Sequence, residues 1–111
     1  MKKIITLILL YCMSIYSFAQ EFAGDWKGKL EVQGNRLDVI FHIANDNGKL
    51  STTFDVPMQG ASGIPLENTT SNANEITISS NKIGITYNGK LEKDQLVGTY
   101  KQAGMELPLT L

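Results

Sequence analysis

Residues 37–56 read LDVIFHIANDNGKLSTTFDV. Leu37, Val39, Phe41 and Ile43 alternate with Asp38, Ile40 and His42. Leu50, Thr52, Phe54 and Val56 then alternate with Ser51, Thr53 and Asp55. Period two marks a half-buried strand, because successive side chains of a strand point to opposite faces. Between the runs lies Asn45-Asp46-Asn47-Gly48, residues that tolerate positive φ and close hairpins. The stretch reads as one β-hairpin with an apolar inner face.

The pattern continues in both directions. Upstream, Trp26, Gly28, Leu30 and Val32 share a face, Lys27, Lys29, Glu31 and Gln33 take the other, and Gly34-Asn35 is the expected turn. Downstream, Pro57 ends the third strand, since it cannot donate to a ladder. Met58 to Gly63 reads as a loop, and Ile64 and Leu66 begin a fourth strand that fades into Asn68–Asn72. A fifth strand carries Ile76 and Ile78, and a sixth carries Ile83, Ile85 and Tyr87 and runs on to Leu91. A seventh carries Leu96, Gly98 and Tyr100, and an eighth Met105, Leu107, Leu109 and Leu111. Ser80-Asn81, Lys93-Asp94 and Ala103-Gly104 supply the turns. About eight short strands at a spacing of roughly 8–12 residues predict an all-β fold, a single small antiparallel meander. Closure as a lipocalin-like up-and-down barrel is expected, because it removes the exposed edges. Eight strands of this length enclose packed side chains or at most one small ligand.

Residues 1–19 read as a signal peptide. Lys2 and Lys3 form a basic start, Ile4 to Tyr16 an uncharged apolar run, and Ser17-Phe18-Ala19 a small-x-small cleavage site. The apolar run of about 13 residues is short of the ~20 that span a bilayer. The expectation is an exported protein, periplasmic or extracellular, whose mature domain is residues 20–111, with no transmembrane segment. Cys12, the only cysteine, falls within the signal. Tyr11 stands where a lipobox places a small residue, which argues against a lipid anchor at Cys12. The mature domain needs no disulfide in an oxidising compartment.

Removal of Lys2 and Lys3 leaves 8 basic and 11 acidic residues, a balance of roughly −3. No basic cluster stands out, which argues against nucleic acid or an anionic membrane as partner. Chemistry-bearing patterns are equally sparse. Ser62 in Gly60-Ala61-Ser62-Gly63 lacks the second glycine and the helix of a nucleophile elbow, and the segment lacks the lysine of a phosphate loop. His42 is the only histidine, and Asp38, four residues away on the same face, is ~13 Å along the strand. His42 therefore reads as solvent-facing, and one histidine without a mature cysteine proposes no zinc site. Asp25, Glu31, Asp38 and Asp55 read as a solvated face rather than an acid–base pair. The expectation is no catalysis and no cofactor. Gly24-Asp25-Trp26 is the most distinctive short motif, because lipocalins and related barrels plug one end with a Gly-x-Trp; here Trp26 is read first as core.

A longer pattern spans the mature chain. It comprises Gly24-Asp25-Trp26-Lys27-Gly28-Lys29-Leu30, Gly34, Leu37, Phe41-His42-Ile43, Gly48, Asp55-Val56-Pro57-Met58-Gln59-Gly60, Ile64-Pro65 and Tyr87-Asn88-Gly89-Lys90-Leu91. Gly98-Thr99-Tyr100-Lys101-Gln102-Ala103-Gly104 and Leu107-Pro108-Leu109-Thr110-Leu111 complete it. It resembles the small N-terminal β domain ahead of the catalytic domain in secreted Bacteroidetes α/β-hydrolases. The resemblance implies the fold and the compartment and carries over no catalytic residue, because the hydrolase's own elbow and acid–histidine partners are not in this sequence.

The function expected is that of a secreted, non-catalytic binding or interaction module. Its partner is expected to be a hydrolase or other secreted protein, a glycan or a small ligand. The alternatives are a lipocalin-like carrier of a small apolar ligand and an accessory domain orphaned from a hydrolase. The candidate binding residues are Trp26, Asp55, Gln59, Gly60, Tyr100 and Gln102. Asp55 and Gln59 bracket the strand-ending proline, and Gln102 precedes the last turn, so these groups line a mouth if their strand ends share a rim.

Overall fold

The computed structural model describes residues 21–111. The expected signal peptide, with Cys12, and Gln20 lie outside the described residues. Nine antiparallel strands follow in order: β1 Gly24–Val32, β2 Asn35–Asp46, β3 Lys49–Val56, β4 Ala61–Leu66, β5 Asn68–Asn72, β6 Glu75–Ser80, β7 Ile85–Glu92, β8 Gln95–Gln102 and β9 Met105–Thr110. A 3-10 turn, Pro57–Gln59, joins β3 to β4. The ladders divide into two sheets, β1-β2-β3-β4 and β5-β6-β7-β8-β9, and every ladder joins strands consecutive in sequence.

The alternation predicted from the sequence holds. Leu30, Val39, Phe41, Ile43, Leu50, Phe54 and Val56 are buried from the first sheet. Ile76, Ile78, Ile85, Tyr87, Leu96, Tyr100 and Leu109 are buried from the second. Phe41 meets both Phe54 and Tyr87 edge-on, at centroid distances of 6.0 and 5.4 Å, in the arrangement aromatic quadrupoles favour. The Tyr87 hydroxyl, deep in the core, donates to the Leu109 carbonyl at 2.9 Å, so its burial leaves no unpaired donor. Phe22, just before β1, is fully buried in the same core.

Four features differ from the sequence reading. Nine strands replace eight because the polar run Asn68–Asn72 is itself a strand: β4 pairs with β3, Glu67 interrupts, and β5 pairs with β6. Thr69 and Thr70 favour strands while the flanking Asn68 and Asn72 do not, and pairing to the apolar β6 supplies the order that the run's own polarity does not. The expected loop Met58–Gly63 is a 3-10 turn that runs straight into β4 at Ala61. The first turn is Gln33-Gly34, both at positive φ as a type I′ turn requires, one residue earlier than Gly34-Asn35. Ile83 lies in the turn between β6 and β7 and is 39% exposed, so the inward strand begins at Ile85.

Two approaches bring the sheets together. A side chain at Gly28 on β1 would lie 2.5 Å from the Thr110 carbonyl oxygen of β9, so only glycine permits that crossing. Thr52 of β3 and Thr69 of β5 share a hydrogen bond of 2.9 Å across the seam where the first sheet gives way to the second. Pro65 and Pro108 lie on β4 and β9, each at the edge of its sheet, where no ladder needs their missing donor.

Candidate functional site

On the outer face of the first sheet, three strands converge on one histidine. The β1–β2 register sets Asp25 directly opposite His42, and the β2–β3 register sets Thr53 opposite it, with Asp55 the diagonal neighbour two residues on. Such diagonal neighbours lie within reach of long or ring side chains. His42 Nδ1 stands 2.7 Å from Asp25 Oδ1, and Nε2 stands 2.8 Å from Asp55 Oδ2. The second Asp55 oxygen accepts the Gly63 N–H at 2.7 Å, which fastens the start of β4 to the same carboxylate. The side chains are graded in exposure: Asp25 75%, His42 38% and Asp55 21%.

Electrostatics follow from these contacts. The hydrogen bond to Asp55, and then that to Asp25, hold His42 above the 6.5 of a free imidazole. The His42 ring, and then the Gly63 N–H, hold the Asp55 carboxyl below its ordinary 3.8. The cluster is a hydrogen-bonded network with both ring nitrogens engaged, and it is ion-paired while the ring carries its second proton. The histidine read as merely solvent-facing is thus the centre of the most connected polar group described on the outer face. Asp38, the carboxylate nearest in sequence on its face, takes no part. Glu31 pairs instead with Arg36 at 3.2 Å, both well exposed.

The residues singled out from the sequence fall in three places. Trp26 faces inward and packs against the core, and its indole N–H donates to the Phe22 carbonyl at 2.8 Å. Asp55, Gln59 and Gly60 follow one another around the end of β3. Asp55 is outward in the His42 network, Gln59 is exposed on the 3-10 turn, and Gly60 closes that turn in the left-handed region with φ 69°. Tyr100 is buried on β8, its phenol pushed up to about 12 by burial, and its hydroxyl donates to Gln102 Oε1 at 2.8 Å. The structure therefore brings together Tyr100 with Gln102, and Asp55 with His42 and Gly63. It sets Trp26 on the opposite face of the sheet from Asp55.

Among the described residues, four shallow grooves stand out on the surface. One of about 530 Å³ lies between Asn47–Leu50 and Thr69–Ser71, where β5 diverges from β3. Another, of about 510 Å³, is bounded by Lys29, Glu31, Leu107, Pro108 and Thr110. A third of about 350 Å³ crosses the outer face at Thr77, Asn88 and Thr99, and a fourth of about 300 Å³ lies between Gly84 and the β8–β9 turn. Gln102 borders the fourth; Trp26, Asp55, Gln59, Gly60 and Tyr100 border none of these four. Among the described residues, no group of three or more histidine, cysteine, aspartate and glutamate side chains is placed to hold a metal ion. Nor does any helix among them have the length and apolarity to cross a membrane.

Comparison with models of known protein families, with curated proteins and with solved structures finds no match to this chain.

Proposed function

We propose that this protein is an exported, non-catalytic β domain that acts as a binding or interaction module through its outer surface. The observation that carries this reading is the filled interior. Phe41, Phe54, Tyr87, Ile76, Ile78, Leu96 and Leu109 from both sheets meet in one buried cluster. A carrier would need a pocket of roughly 300 Å³ or more among these side chains. The four grooves described above are walled mainly by turns and outward side chains. Recognition on the outside suits such a body, with a secreted protein or a glycan as partner. The resemblance to the N-terminal domain of secreted hydrolases supports a hydrolase as that partner.

The two sheets are best read together as a flattened, lipocalin-like barrel. The approach of β9 to β1 at Gly28 supports closure on one side, and the Thr52–Thr69 hydrogen bond bridges the other. The absence of catalysis is argued from His42. While the ring is doubly protonated and each nitrogen is bonded to a carboxylate, neither is free to take a proton from a nucleophile or a water.

Native mass spectrometry of the protein taken from the periplasm or culture fluid of its own host tests the reading. A second protein or a glycan on the same particle is the expected result. A bound small apolar molecule would replace this reading with the carrier. Turnover of an ester or peptide substrate, abolished by one substitution, would make the protein an enzyme.

A further inference from the structure

A neutral imidazole carries one N–H and an imidazolium two, whereas an ionised carboxylate only accepts. His42 has a carboxylate oxygen at hydrogen-bond distance from each ring nitrogen, one on β1 and one on β3. Both bonds can exist together only while the ring carries its second proton. When that proton leaves, one nitrogen presents a lone pair to an oxygen less than 3 Å away, and that contact must open.

The two contacts are unequal. Asp55 is mostly covered and committed through its other oxygen to the Gly63 N–H, so its release would strand two groups. Asp25 is 75% exposed, and among the described residues His42 is its only hydrogen-bond partner. Water replaces that partner at little cost. Asp25 is also the second residue of β1, between the Trp26 indole and the buried Phe22 whose carbonyl that indole holds. The other groups facing the ring do not compete. Thr53 lies opposite on β3, and Lys27 is the next outward residue on β1. Asp38 and Asp46 lie on β2 itself, each four residues away, and neither β4 nor the 3-10 turn carries a titratable side chain.

We propose that Asp25, His42 and Asp55 form a proton-operated latch. With the ring doubly protonated the latch ties the start of β1 to β3 across β2; with the proton gone, Asp55 keeps the ring and Asp25 swings into solvent. The latch loosens the entry to β1, and with it the Phe22–Trp26 contact, while the Gly63 attachment stays. It stands independently of what the outer surface binds.

The test is an NMR pH titration of the protein, following the His42 ring nitrogens, the Asp25 and Asp55 carboxyl carbons, the Trp26 indole N–H and the Gly63 amide. The expected result is one shared midpoint above 6.5 for the ring and Asp25. Above that midpoint the Trp26 indole should exchange faster and the Gly63 amide should remain unchanged. Asp25→Asn, at an exposed site that does not endanger folding, should lower the midpoint by about half a unit, roughly threefold in proton affinity. Asp55→Asn should lower it by about one unit, tenfold. A wild-type midpoint at or below 6.5, an Asp25 carboxyl that ignores the ring, or a midpoint unmoved by Asp25→Asn would each overturn the latch.

Discussion

Gly98 on β8 faces Gly89 on β7, and a Cβ there would lie 2.0 Å from the Asn88 carbonyl oxygen and 2.7 Å from the Gly89 Cα. Both are backbone atoms and cannot rotate aside. Gly98→Ala should therefore destabilise the protein by about 2–3 kcal/mol in urea denaturation, the upper range for overpacking. Trp26 offers a graded pair of substitutions. Trp26→Phe keeps most of the apolar ring but removes the bond to the Phe22 carbonyl, an expected loss of ~1 kcal/mol. Trp26→Ala should cost about 3 kcal/mol, at the low end for a large aromatic because the ring is only half-buried. A loss under ~1 kcal/mol for the alanine variant would remove Trp26 from the core. The His42 network gives stability a pH window. His42 is raised, so its contribution is complete below 6.5 and fades as pH rises through the raised value. Asp55 is lowered, so its contribution is complete above 3.8 and fades as pH falls through the lowered value. Urea midpoints measured from acid to alkaline pH should peak between those limits, and His42→Gln should flatten the alkaline side. An alkaline limb equally steep in the variant would show that the linkage belongs to another group.

Among the elements, Ala61–Asn72 behaves unlike the rest. It is one run of chain that changes partner at Glu67, pairing first with β3 and then with β6. β5 has a ladder on one side only, whereas β7 is paired on both. Amides of Asn68–Asn72 should exchange with solvent faster than those of β7, because opening β5 exposes few apolar groups. Exchange as slow in β5 as in β7 would mean that the seam to β3 is tighter than one side-chain bond. That bond, Thr52 to Thr69, can be measured directly. A double-mutant cycle with valine at both positions should return a coupling of about 0.5–1 kcal/mol, the net worth of a partly buried hydrogen bond.

At the scale of the molecule, two separately laddered sheets share one core. Neither sheet can bury its apolar face without the other, so unfolding should be a single cooperative transition. Trp26 fluorescence reports on the first sheet and the methyl signals of Ile76 and Ile78 on the second. Their denaturation midpoints should coincide, and separate midpoints would make the sheets independent units.

The sequence alone determined the strand class, four of the hairpin turns to within a residue, and which face of nearly every strand turns inward. Those properties depend on parity, and parity survives small errors in a turn. Reading the first turn at Gly34-Asn35 in place of Gln33-Gly34 left Trp26, Leu30, Val39 and Phe41 on the inner face. It shifted the β1–β2 register by two, which would set Lys27 opposite His42 where the structure sets Asp25. The partners of His42 lie 17 and 13 residues away in sequence, and only the realised registers of two hairpins bring them to the ring. The division of Ala61–Asn72 between two sheets was hidden for a related reason. The residues of β5 carry no apolar alternation of their own, and what orders them is the strand they meet. Face follows from local period, while partner follows from register and from what the rest of the chain places alongside, and for the His42 cluster the tertiary structure alone made that choice.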